Sequence, residues 1–246
     1  MWFPRRSGLA VLILALLAGP ASSAALTVLS PASAAPGLKA LAAQYTAKTG
    51  QPVTLGGNGR QAVLAALKIG PADVVVLPTT DFVNLSSVHG MTPLGHILVG
   101  VGVKAGAKVP DISTPEKFRS ALLAAKGVAY ADPSAGTSAG KVIDRMLSGP
   151  DFAGVKRVPV QGLAVTALAS GQADIALQML PELMTNKDVA LAGAVPELYG
   201  AAVDFSAGIA GVSNDAINAG AFISFVTAPA QAPLWKGHGV ILLGTP

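Results

Sequence analysis

Short apolar runs alternate with stretches of helical spacing along almost the whole chain, and this rhythm restricts the fold to helices layered on sheet. The clearest run is Asp73-Val74-Val75-Val76-Leu77, whose unbroken apolar stretch fits a strand covered on both faces, as in parallel sheets. Strands are also expected at Leu26 to Leu29, Val53 to Leu55, Ile97 to Val103, Gly127 to Ala131, Val158 to Val160 and Ile175 to Gln178, with an extended segment from Ala201 to Ile209. Helical spacing runs from Pro36 to Gly50, Gln61 to Ile69, Pro115 to Ala125, Ser138 to Leu147, Val165 to Ala169, Asp215 to Val226 and Pro229 to Lys236. Aromatics are only 5% of the residues, so many Ala, Val and Gly pack these layers closely. The class is α/β with a largely parallel sheet.

Residues 1–24 are of different material. Arg5 and Arg6 precede an apolar run from Leu9 to Leu17, then Gly19-Pro20 and Ala21-Ser22-Ser23-Ala24. That order of basic, apolar and small segments is a secretory signal peptide, expected to be cleaved after Ala24, and the run is shorter than the ~20 residues of a membrane span. The 246-residue chain has no cysteine, hence neither a disulfide nor a lipidated N-terminal cysteine, and the mature protein is expected free in a periplasm. Without Arg5 and Arg6 the balance is 15 basic to 13 acidic residues, and no basic run is interleaved with aromatics, which argues against nucleic acid as a partner.

Two strands end in small polar residues just where a helix begins: Leu26-Thr27-Val28-Leu29-Ser30-Pro31-Ala32-Ser33, and Val53-Thr54-Leu55-Gly56-Gly57-Asn58-Gly59 before Arg60. A helix start carries unpaired N–H groups and partial positive charge, so hydroxyl and amide groups there make an anion site. With Gly70-Pro71-Ala72-Asp73-Val74, Asp132-Pro133-Ser134-Ala135-Gly136 and Gly171-Gln172-Ala173-Asp174, these segments occur in the order and spacing of the molybdate-binding-protein-like family of periplasmic solute-binding proteins, which the chain resembles over nearly all its mature length. The resemblance implies a type II periplasmic-binding-protein fold: two α/β lobes joined by two crossing strands, with a ligand in the cleft and closure by hinge bending. It implies one lobe of residues 25–98 and 208–246, and a second of 99–207. It also implies a small anionic ligand, an ABC-transporter permease in the inner membrane as partner, and a monomer without cofactor.

Ser33 matches the family's first ligand-binding serine, and Asn58 stands where molybdate binders usually carry a second, so its amide keeps a donor but changes the oxyanion chemistry. Beside it, Gly59 and Arg60 open the second helix, and a guanidinium there suits a carboxylate. Gly136, Thr137 and Ser138 open the helix expected across the cleft, and Gln178 lies where molybdate binders have a tyrosine nearby. Plainer readings stand beside these: Ser33 as a helix cap, Asn58 as a left-handed turn residue, and Arg60 as a solvent-facing arginine. Gly100-Val101-Gly102 with Gly106 lacks dinucleotide-fingerprint spacing and reads as a strand crossing between lobes. His89, His96 and His238 lack metal-ligand spacing, and no Gly-x-Ser-x-Gly or H-E-x-x-H motif supports hydrolysis, so no metal is expected. Finally, Val101-Gly102-Val103-Lys104-Ala105-Gly106-Ala107, Pro110-Asp111-Ile112-Ser113-Thr114-Pro115 and Ala129-Tyr130-Ala131-Asp132-Pro133 resemble a branch that includes periplasmic aconitate isomerase. Capture of a small anion for import is the leading expectation, and isomerisation of a small tricarboxylate, by a base the sequence does not single out, is the second.

Overall fold

The computed structural model describes residues 24–57 and 59–244, so the leader expected at residues 1–24 lies, except for Ala24, outside the described residues, as does Asn58. Strand β1 (Leu26–Leu29) leads into α1 (Ala35–Thr49), which has a proline in its first turn and stops at Gly50, left-handed at φ 77°. Next come β2 (Val53–Gly56), α2 (Arg60–Ile69), β3 (Val74–Pro78) and α3 (Thr79–Phe82). The long β4 (Val88–Lys104) is followed by α4 (Pro115–Ala124), β5 (Val128–Ala131), α5 (Ser138–Leu147), β6 (Arg157–Val160), α6 (Val165–Ala169), β7 (Ile175–Met179), α7 (Leu180–Met184) and β8 (Val189–Ala194). The path ends with β9 (Ala202–Ala210), α8 (Ala216–Val226), α9 (Ala232–Gly237) and β10 (Val240–Leu242). Among the described residues no helix is long and apolar enough to cross a membrane.

The strands form the order β2-β1-β3-β9-β4-β7-β5-β6, with β8 and β10 also on β4. β1 pairs in parallel with β2 and β3, and β5 in parallel with β6 and β7, while β4 and β9 run antiparallel to their neighbours. β4 belongs to both halves: Val88 to Leu98 pair with β9, and Val99 to Lys104 with β7 and β8. The crossing strand read at Gly100-Val101-Gly102 is therefore present, within an element that starts nine residues before the expected Ile97. β9 pairs with β4 from Ala202 onward, so Ala202 to Ala207, assigned from sequence to the second lobe, are hydrogen-bonded into the sheet of the first.

Alternation along each central strand feeds two cores. Val74 and Val76 of β3 join one buried cluster with Leu38, Leu41 and Phe222, whereas Val75 and Leu77 face Leu29, Val63 and Leu67 on the opposite side. In the other half Ile175 and Leu177 share the first cluster with Phe118 and Ile143, and Ala176 packs with Ala167 and Leu168 beneath α6. Each fully buried aliphatic side chain contributes about 1.5–3 kcal/mol, which makes this double covering the main stabilising term.

Glycine sets how close the layers come. A Cβ at Gly100 would lie 2.8 Å from Leu180 Cδ1, and one at Gly102 2.6 Å from Val189 Cγ1, so the fingerprint-like glycines let α7 and β8 settle against β4. At Gly37 on α1 a Cβ would meet the Trp235 ring at 2.3 Å, and that indole is fully buried with its N–H donated to Val226 O. Gly37→Ala is accordingly expected to lower the unfolding free energy by about 1–3 kcal/mol despite alanine's better helix propensity. Urea denaturation checks it; an unchanged midpoint would mean that α9 shifts without cost.

Candidate functional site

The C-terminal ends of β1, β3, β5 and β7 and the first part of β9 border an open cavity of about 230 Å³ between the halves of the molecule. Taking ~30 Å³ per water, it holds the liquid volume of roughly eight waters, a small-molecule dimension. Pro31, Ala32, Ser33, Gly59, Arg60, Pro78, Val203 and Phe205 line it from one half. Thr137, Ser138, Ile143, Leu163, Leu177, Gln178, Met179 and Glu182 are among the residues that line it from the other.

Six residues singled out from sequence thus meet at one wall or another: Ser33, Gly59, Arg60, Thr137, Ser138 and Gln178. Gly136 does not reach the lining; at φ 75° it closes the short turn Pro133–Ala135, whose entry is fixed by Asp132 accepting from Ser134 N at 2.8 Å. Its part is to aim the helix that follows.

The three helix starts differ in what they leave open. At α1 the N–H groups of Ala34 and Ala35 donate to Pro31 O and Ala32 O, so the loop consumes part of the expected donor set. The Ser33 hydroxyl, 4% exposed, makes no hydrogen bond to any described residue. α2 has Gly59 at its cap position and no side-chain cap, and the N–H groups of Arg60, Gln61 and Ala62 donate to no described residue. α5 is capped by Thr137, whose Oγ accepts from Gly140 N at 3.1 Å; this leaves the hydroxyl proton, the Ser138 hydroxyl and the N–H groups of Ser138 and Ala139 unclaimed by any described residue.

Arg60 is not a free cation. Its Nε donates to Asp81 Oδ2 at 2.6 Å, and this hydrogen bond holds the guanidinium pKa above its ordinary value. Its terminal nitrogens have no partner among the described residues, so part of the fork is used and part is unclaimed on a residue that lines the cavity. Asp81, on the short helix after β3, is a residue the sequence reading missed, and only the β3–α3 turn brings it to Arg60.

Gln178 also departs from expectation. Its Oε1 accepts from Val165 N at 3.4 Å and its Nε2 donates to Glu182 Oε2 at 2.8 Å, so the amide serves the wall's own structure on both sides. Glu182 itself was not expected, yet it is the second charged-type side chain of the lining beside Arg60. Burial pushes its carboxyl pKa above the ordinary range, against an opposing hydrogen bond from Gln178. Hydroxyl and amide donors around an apolar floor can hold an anion, and a carboxyl on the far wall can give or take a proton.

The profile of the bacterial extracellular solute-binding proteins matches residues 26–241. The chain belongs to this family. Among curated proteins, aconitate isomerase from a Pseudomonas species is 28% identical over 212 residues, 79% of this chain and 80% of that protein. Among solved structures, the substrate-binding domain assigned to a molybdenum ABC transporter from Clostridium difficile superposes with a TM-score of 0.70 at 14% identity, covering 89% of this chain and 99% of its own. The periplasmic molybdate-binding protein of Azotobacter vinelandii gives 0.62 at 19% identity, covering 88% and 99%. This solute-binding chain therefore has the type II periplasmic-binding fold, as its sequence implied.

Thr137 offers a check on the local geometry. Thr137→Val removes the acceptor for Gly140 N and is expected to cost about 1 kcal/mol of stability, while Thr137→Asp keeps the cap and the wild-type midpoint. Equal midpoints for all three proteins in urea would show that the cap carries no energy.

Proposed function

We propose that this solute-binding chain is the periplasmic capture component of an ABC importer, that it takes a small organic carboxylate between its lobes, and that it presents this ligand to an inner-membrane permease as a monomer. The observation that carries the reading is the chemistry of the cavity. Ser33, Arg60, Thr137, Ser138 and the starts of α2 and α5 supply donors, while Ile143, Leu177, Met179 and Phe205 supply a hydrocarbon-compatible floor. A bare tetrahedral oxyanion gains nothing from that floor; a carboxylate with a carbon skeleton buries it. Donors come from both halves, so the ligand draws the lobes together.

A second reading has its own observation. Glu182 places a proton-exchanging carboxyl in the cleft, and moving a proton along an allylic tricarboxylate requires such a group together with stabilisation of developing negative charge. The likeness to aconitate isomerase fits it.

Titration calorimetry with citrate, cis-aconitate, trans-aconitate and molybdate tests the first reading. At least one carboxylate should bind more tightly than molybdate, and molybdate tighter than all of them by about tenfold or more would overturn the assignment. Arg60→Ala should weaken the preferred carboxylate by about 2 kcal/mol, roughly 30-fold, and Thr137→Asp should abolish capture by adding a negative charge. The two readings separate in deuterated water: binding of cis-aconitate without conversion is expected, and formation of the deuterated trans isomer at catalytic protein levels would make the chain an isomerase.

A further inference from the structure

We infer that Glu182, held by Gln178, forms a second pole of the cleft at which one proton is shared between this carboxyl and the bound anion, so that the site takes small polycarboxylates or hydroxy acids and takes up a proton as it fills. The inference rests on the carboxylate reading above and narrows it.

An anion site with an acidic wall is a contradiction unless a proton lies between the two negative groups, because like charges brought together in a poorly hydrated cavity repel strongly. Apart from Arg60, no cationic side chain lines the cavity with Glu182. α7 packs on β4, β7 and β8, and the turn at Gly239 meets it at Leu180 and Pro181; Lys236 and His238 beside that turn do not line the cavity. β7 and β8 carry no titratable side chain; those of β4 are His89, His96 and Lys104, and none of them lines the cavity. Lys187 and Asp188, which follow α7, do not line it either. Arg60 does, but from the other half and with its Nε on Asp81, so its terminal nitrogens serve the opposite pole of the ligand.

Gln178 fixes which oxygen is available. Val165 N–H donates to its Oε1, which turns the amide NH₂ toward Glu182 Oε2; Oε1 of Glu182 has no partner among the described residues. Protonated on that free oxygen, Glu182 presents an O–H to a ligand oxygen while Gln178 satisfies the other. The proton is drawn from bulk solvent. Burial already raises the carboxyl pKa in the free protein, and a neighbouring anion raises it further, which is the direction that couples capture to proton uptake.

The linkage has a definite sign. Between the pKa of Glu182 in the free cleft and its higher value in the filled cleft, affinity falls about tenfold for each unit of rising pH, beyond any change due to the ligand's own titration. Calorimetry with citrate and cis-aconitate, in two buffers of different ionisation enthalpy from pH 6 to pH 8, reads both uptake and slope. The difference between wild type and Glu182→Gln cancels the contribution of the ligand and of the protein's other groups. Greater uptake and a steeper fall in wild type than in Glu182→Gln are expected. Carboxylate binding with identical uptake and slope in the two proteins would overturn this inference and leave the carboxylate reading standing. Binding of molybdate with no binding of either carboxylate would overturn both.

Discussion

The antiparallel pairing of β4 is the constraint on which the rest of the molecule depends. One strand of 17 residues supplies an edge to β9 and β10 over its first part and to β7 and β8 over its second. Neither half of the sheet could be completed without it, and the cavity lies where the two sets of partners diverge. Its glycines are therefore structural: Gly95, where a Cβ would lie 2.2 Å from Ile241 O, admits β10, while Gly100 and Gly102 admit α7 and β8. From Gly95 to Lys104 sheet partners on β9, β10, β7 and β8 take up the backbone of this crossing, with one register shift between Val101 and Gly102, which lets the connection exist without a loop.

Around that strand the two halves contribute different chemistry. The first half brings a short serine-bearing loop, an uncapped helix start and an ion-paired guanidinium; the second brings a capped helix start and a carboxyl clasped by an amide. Both halves add apolar side chains to the floor. On the proposed reading, a ligand with hydrocarbon between polar ends is the molecule that uses all of these at once.

Much of this was legible in the residues. The continuous runs of β3, β5 and β7 read correctly because both faces of a central strand are buried, and α1 announced itself with Pro36 and Gly50. The first part of β4 did not, because Gly90, Pro93 and Gly95 break the apolar alternation and the register shifts twice there. β8 is Ala- and Gly-rich and β10 only three residues long, so neither offered a period to count. In the cavity, Ser33, Gly59, Arg60, Thr137 and Ser138 were visible because a helix start is a local pattern, and Gln178 because the family resemblance marked the end of its strand. Glu182 and Asp81 were not, since each reaches the cavity region through a tight strand-to-helix junction that no single periodicity describes. Gly136 shows the converse: its neighbours in sequence face the cavity, while its own left-handed backbone serves the turn.

The ion pair between Arg60 and Asp81 has a consequence for exchange. On the proposed reading, a guanidinium already in contact with a carboxylate offers an incoming anion only the difference between that arrangement and a shared one, so Asp81 is an internal reference against which a solute is weighed. Charge alone then discriminates poorly, and shape together with the far wall must do the sorting. On the proposed reading the same contact holds the guanidinium in one pose whether the cleft is empty or filled, so the fork need not be reordered each time a solute arrives or leaves.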